Sequence, residues 1–202
     1  LEAFPLNLTI SYSFKIVNLF YSPIHGGMSH PTAPAKFVFI TGPESSGKSH
    51  LAKALNEHLA YPWVPEYARS YLAALDRSYE KEDIVRIGRE QWQLQQNMRK
   101  LSQAPYLICD TGFLVLKVWM EYQYGEVDPW IEQQFIQTPA YHYLLCKPDI
   151  PWETDPLREH PQQREELFQL YLKALQDYNK PYTIIEGADF AKRLQRAKAL
   201  LR

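Results

Sequence analysis

The sequence predicts an α/β fold: a five-stranded parallel sheet flanked by helices. Three observations predict it. Five short apolar runs lack polar alternation, as strands buried on both faces of a parallel sheet do. Stretches with apolar residues at spacings of three and four separate them, the mark of amphipathic helices. The first run ends in "GPESSGKS" (42–49), a Gly-rich turn whose chemistry requires a strand before it and a helix after it. Strands and helices in this alternation imply right-handed crossovers.

Taken in order, Lys36 to Thr41 is the first strand, and a helix starts at Lys48. Tyr61 to Val64 is the second strand. From Glu82 to Leu101 a long helix shows Ile84, Ile87, Gln91, Leu94, Met98 and Leu101 on one stripe. Pro105 to Cys109 and Tyr141 to Cys146 follow as strands. Residues 147–164, "KPDIPWETDPLREHPQQR", carry Pro148, Pro151, Pro156 and Pro161, too many prolines for a continuous helix. A long irregular loop inside a compact domain is usually functional, and this Pro- and Arg-rich one reads as a lid. Leu167, Leu170, Tyr171, Ala174 and Tyr178 mark the next helix. Tyr182 to Ile185 is the last strand, and Phe190, Leu194, Ala197 and Leu201 mark the last helix.

With 202 residues, the chain is long enough to bury a sizeable core in one domain, expected over 36–202. Lys and Arg number 22 against 23 Asp and Glu, so no basic excess points to a nucleic-acid partner. Cys109 and Cys146 each close an apolar run, which suits buried reduced thiols and a cytoplasmic location. Residues 1–35 read as an N-terminal extension with only Glu2 and Lys15 as charges. That segment lacks a basic n-region and a small-residue cleavage site. Asn18, Pro23, Gly26 and Gly27 break its uncharged run, so it is a poor membrane span. Met28 is the expected natural start.

Residues 42–49 fit G-x-x-x-x-G-K-[ST] in full, the P-loop of nucleoside triphosphate-binding proteins. Gly42, Pro43, Glu44, Ser45, Ser46 and Gly47 form a turn whose backbone N–H groups face phosphate oxygens. Lys48 bridges β- and γ-phosphates, Ser49 coordinates Mg²⁺, and the helix through His50 adds its positive end. ATP and Mg²⁺ are the expected cofactors. A guanine-reading N-K-x-D is missing; "NKPY" at 179–182 lacks the Asp. Asp110 ends the third strand and is followed by Thr111, not by the Glu that activates water in ATPases of the motor or AAA type. Transfer to an alcohol acceptor is therefore favoured over hydrolysis.

Such a transfer needs an anion at the hydroxyl, a held metal ion and cations over the phosphate. Glu66 and Asp110 reach the same sheet edge as the P-loop, where open α/β sheets bind ligands. Either could take the proton; Glu66 is assigned to the hydroxyl and Asp110 to the metal. An ion pair of Glu66 with Arg69 is the structural alternative, and both readings can hold together. Arg158 and Arg164 are the candidate lid cations. Gln91, a polar residue in an apolar stripe, either pairs with a ligand amide or is satisfied by backbone. Trp152 is the tryptophan expected to touch ligand. Oligomeric state is not readable from these residues.

Four blocks, "GPESSGKSHLAKAL", "VPEYARSYL", "CDTGFLVLKVW" and "PDIPWETDPLRE", together resemble the kinase domain of the NadR-type ribosylnicotinamide kinases from about Phe37 onward. The resemblance implies a nucleoside-kinase-like fold with a lid. It implies transfer of the ATP γ-phosphate to the 5′-hydroxyl of nicotinamide riboside, giving nicotinamide mononucleotide. It also implies that Glu66, Asp110, Arg158 and the stretch from Asp149 to Trp152 line the acceptor and transfer site; Arg69 is a further candidate substrate contact. Two-activity members carry a nucleotidylyltransferase domain with an H-x-G-H motif. Here His25 is followed by Gly-Gly-Met, so that motif is absent and adenylyl transfer is not expected.

Overall fold

A computed structural model describes residues 33–201 of the chain. The N-terminal extension, including Met28 and His25, lies almost wholly outside the described residues. Five strands form one sheet in the order β2-β3-β1-β4-β5, and every pairing is parallel. They are β1 (Lys36–Thr41), β2 (Trp63–Val64), β3 (Tyr106–Asp110), β4 (Ala140–Cys146) and β5 (Tyr182–Ile185). All five expected strands are present. β2 is shorter than expected because Pro62 has no N–H to donate, although its carbonyl accepts from Ile108 N at 2.9 Å.

The helices among the described residues are α1 (Lys48–Leu59), α2 (Tyr67–Ala73), α3 (Lys81–Leu101), α4 (Phe113–Tyr124), α5 (Pro129–Gln137), α6 (Arg164–Asp177) and α7 (Phe190–Ala199). α1, α3, α6 and α7 match the expected stripes. α4 escaped periodicity because it buries residues all round: Phe113, Leu114, Leu116, Lys117, Val118 and Met120. α5 is announced by Asp128, whose carboxylate accepts from Trp130 N and Ile131 N, with Pro129 at the first helical position. None of the described helices is long and apolar enough to cross a membrane.

Alternate strand residues serve two cores. Phe37, Phe39, Leu107, Tyr143 and Leu145 face the larger one, built with α3, α4, α5 and α6. Val38, Ile40, Ile108, Leu144, Cys146 and Ile185 face the smaller one, closed by Leu51 and Leu55 of α1 and Ala197 of α7. The chain leaves β1 toward β2 in one direction and later crosses back past β1 to β4. That reversal opens a crevice at the carboxyl ends of β1 and β3, where ligands of such sheets bind.

Candidate active site

The P-loop occupies this crevice between β1 and α1. Gly42 has φ 132°, and a Cβ there would lie 2.5 Å from the Cys146 carbonyl oxygen, so only glycine lets the loop leave β1 against β4. Gly47, at φ 83°, caps α1. Lys48 Nζ and Ser46 Oγ each donate to the Pro43 carbonyl at 2.8 Å, which keeps the lysine folded along the loop.

Asp110 lies at the end of β3, buried, beside Ser49 and Lys48. Burial first, and then the charge of Glu66, raise its pKa to about 7 against the opposing effects of Ser49, Lys48 and Arg69. Its Oδ1 is buried without a hydrogen-bond partner, as is Thr41 Oγ1 at the end of the adjacent strand. A buried carboxylate oxygen left unpaired is costly unless a cation or donor comes to it. With the Ser49 hydroxyl alongside, this donor set fits Mg²⁺, which takes few protein oxygens and completes its shell with phosphate and water.

Glu66 starts α2 and lines a cavity of about 540 Å³ that runs from the P-loop to α4. Its far end is aromatic. Tyr79 and Trp119 meet edge to face at 5.0 Å, Trp119 Nε1 donates to the Tyr79 hydroxyl at 3.2 Å, and that hydroxyl donates to Glu159 Oε2 at 2.8 Å. Burial is the main cause that lifts the Tyr79 pKa to about 12, so the phenol stays protonated and donating. Tyr122 completes this wall.

The lid closes the third side and is fastened to the P-loop. Glu44 Oε2 accepts from the backbone N–H of Glu159 and of His160, both at 3.0 Å. Ser45 Oγ accepts from Glu153 N at 2.9 Å and from Arg158 at 3.3 Å. Arg164, the first residue of α6, donates to the Ser45 and Ile150 carbonyls at 3.2 and 3.0 Å. The cavity therefore has a P-loop end, a carboxylate in its wall, a cation-bearing lid and an aromatic end.

A family model described as an AAA domain (AAA_28) matches residues 37–193. The chain belongs to this family. Among solved structures, this AAA domain is similar to a NadR protein in complex with NR, at 22% identity and TM-score 0.66, over 82% of this chain and 50% of that one. A NadR protein in complex with NAD and AMP-PNP matches at 19% identity and TM-score 0.64, over 82% and 48%. Thymidylate kinase from Ehrlichia chaffeensis matches at 13% identity and TM-score 0.61, over 83% and 100%. The chain thus spans about half the length of the NadR proteins it matches. Its fold is that of the matched half of the NadR chain and of thymidylate kinase.

Within this AAA domain the expected site residues divide. Residues 42–50, Glu66, Arg69 and Arg158 line the cavity, and Asp110 lies buried beside Ser49 and Lys48 at its P-loop end. Arg69 pairs with Asp155 at 2.8 Å, so the Arg69 guanidinium ties α2 to the lid. Three residues expected to touch ligand have partners within the protein. Gln91 spends its amide on backbone: its Oε1 accepts from Tyr67 N at 2.7 Å and its Nε2 donates to Pro65 O at 3.2 Å. Asp149 turns away from the cavity to Arg193 and to Gly187 N, the latter at 2.7 Å. Trp152 packs beneath the guanidinium groups of Arg158 and Arg164, with their carbons 5.9 and 5.7 Å from its ring centre.

Of two further important residues, Arg193 left no signal in the sequence and Asp83 only a local one. Arg193 of α7 is buried and donates to the carbonyls of Ser46, Lys147 and Gly187, stitching the P-loop to the ends of β4 and β5. Asp83 is buried and accepts from Tyr71 at 2.7 Å, from Arg77 at 2.7 and 3.0 Å, and from Glu80 N at 2.8 Å. It shapes the 74–80 loop that presents Tyr79. Only the capping pattern Glu80-x-x-Asp83 hinted at it.

Proposed function

We propose that the protein is an ATP-dependent kinase that phosphorylates the 5′-hydroxyl of nicotinamide riboside, yielding nicotinamide mononucleotide and ADP. One observation carries the reading: a single cavity joins a P-loop to Glu66 and then to an aromatic and acidic end. Lys48 and Arg158 neutralise charge on the moving phosphoryl group. Glu66 accepts the proton of the acceptor hydroxyl. Ser49 and Asp110 would hold Mg²⁺, which would supply neutralisation of phosphate charge. The faces of Tyr79, Trp119 and Tyr122 and the Glu159 carboxylate suit a flat cationic ring.

The cations of the acceptor half favour a nucleoside over a nucleotide acceptor. Arg69 is paired with Asp155, and Arg77 with Asp83 at 2.7 Å, so neither guanidinium is uncommitted for an acceptor phosphate. NAD salvage by such an enzyme would be a cytoplasmic activity on a small molecule. A second reading, an ATP-hydrolysing or ATP-sensing module, takes its support from the family description. Thr111 in place of a water-activating acid speaks against it.

The test is ADP release from Mg·ATP with nicotinamide riboside, adenosine, cytidine, uridine, thymidine or thymidylate as acceptor. Strong stimulation by nicotinamide riboside alone is expected. Stimulation by a different acceptor would keep the kinase and discard the substrate. Release indifferent to every acceptor would favour the hydrolytic module.

A further inference from the structure

Gln91 is the one polar side chain on the core-facing stripe of α3 whose two amide ends both meet a single short segment. It is 5% exposed. Its carbonyl oxygen receives the Tyr67 N–H at 2.7 Å, and its amino group reaches the Pro65 carbonyl at 3.2 Å. Those two backbone groups flank Glu66. Glu66 begins α2 without a side-chain capping bond of its own, with φ −66° and ψ 114°. Its backbone is therefore held from outside, by α3.

One helical turn further along α3, Gln95 Nε2 donates to the Thr111 carbonyl at 3.1 Å. Thr111 follows Asp110 and sits at φ 73°, a left-handed conformation unfavourable for a β-branched residue. The same face of α3 therefore grips the chain just after β2 and just after β3. A cavity of about 20 Å³ lies at the junction, lined by Glu66, Gln91, Thr111, Gly112 and Trp119. Helix α3 is also firmly set at its own start, by the reciprocal bonds of Glu80 and Asp83.

We propose that Gln91 is a positioning residue for the transfer reaction: it fixes the Pro65–Tyr67 backbone so that the Glu66 carboxylate meets the acceptor hydroxyl in a productive geometry. The proposal rests on Glu66 serving as the proton acceptor of the kinase. A misplacement of about 1 Å in such a group can cost on the order of 100-fold in rate. A glutamine does this work where an apolar residue would not, because Pro65 O and Tyr67 N would otherwise be left without these bonds.

The experiment is a double-mutant cycle on the purified full chain. kcat and the KM values for ATP and acceptor are measured for wild type, Q91M, E66Q and Q91M/E66Q. Q91M is expected to lower kcat by roughly 10- to 100-fold while KM for ATP moves less than about 3-fold. In the E66Q background, Q91M should cost less than about 3-fold more, because the group it positions is already gone. Q91E keeps an acceptor for the Tyr67 N–H and should lose less than Q91M. It also carries the cycle if Q91M does not fold. Losses that multiply in the double variant, or wild-type kcat in Q91M, would overturn the positioning role and leave the kinase intact. Wild-type protein that no acceptor stimulates would overturn the kinase reading, and this inference with it.

Discussion

Lys48, Glu66 and Asp110 meet at one sheet edge but in different surroundings, and that difference divides their work. Glu66 stands in the wall of the open cavity, whereas Asp110 lies beneath Ser49 and Lys48 with an unpaired buried oxygen. K48A is expected to lower kcat by at least about 100-fold, since it removes a cation from the transition state. Full activity in steady-state assays would displace the P-loop from the chemistry. E66Q should depress kcat far more than it changes ATP affinity. A kcat equal to wild type would hand proton acceptance to another group, Asp110 first. Gln91 shows why residue type alone misleads at this scale: a primary amide in an apolar stripe can serve a ligand or the backbone, and the sequence carries both readings equally.

At the scale of elements, the lid and the α2–α3 corner are held by side chains from elsewhere in the chain. The lid's backbone N–H groups at Glu159 and His160 end on Glu44, so E44A should loosen it. Faster tryptic cleavage at Arg158 in E44A than in wild type is the expected result, and equal rates would mean that the remaining contacts suffice. The α2–α3 corner depends on Asp83. Bonds from Arg77, first, and from Tyr71 and Glu80 hold its carboxyl well below the usual carboxylate range. A group whose pKa is depressed by folding contributes stability above its unfolded pKa, about 3.9, and loses it as pH falls toward the folded value. D83N should therefore cost about 1–3 kcal/mol at pH 7, and the gap from wild type should narrow below about pH 4. Thermal melts at pH 7 and pH 3 compare the two. A gap of constant size would show that ionisation of Asp83 contributes nothing.

For the molecule as a whole, a ligand that binds only the folded chain raises its stability by mass action. Mg·ATP at about 100 times its Kd should add about 2.7 kcal/mol, or roughly 5–10 °C in Tm for a chain of this size. The same addition to K48A should give much less. An identical shift in both proteins would place the nucleotide elsewhere. The Arg193 contacts join α7 to the P-loop and to the ends of β4 and β5, although α7 contributes no residue to the cavity wall.

The sequence alone determined the five strands, four of the helices and the P-loop turn between β1 and α1. Each is written in local signals: unbroken apolar runs, spacings of three and four, and a contiguous eight-residue motif whose glycines the backbone needs. It also placed Glu66 and Asp110 at the working edge, because a residue at the carboxyl end of a parallel strand must emerge there. Tertiary structure decided what those residues face. Asp149 is expected as a ligand contact from the family resemblance, and Trp152 also from its place in the lid. Their partners, Arg193 on one side and the guanidinium groups of Arg158 and Arg164 on the other, come together only when the lid packs on α7 and the P-loop. The aromatic end of the cavity, made by Tyr79, Trp119 and Tyr122, likewise joins two segments some 40 residues apart, with Tyr79 and Trp119 in direct contact. No periodicity encodes such a pairing, since side-chain partners across elements are chosen by packing and not by spacing along the chain.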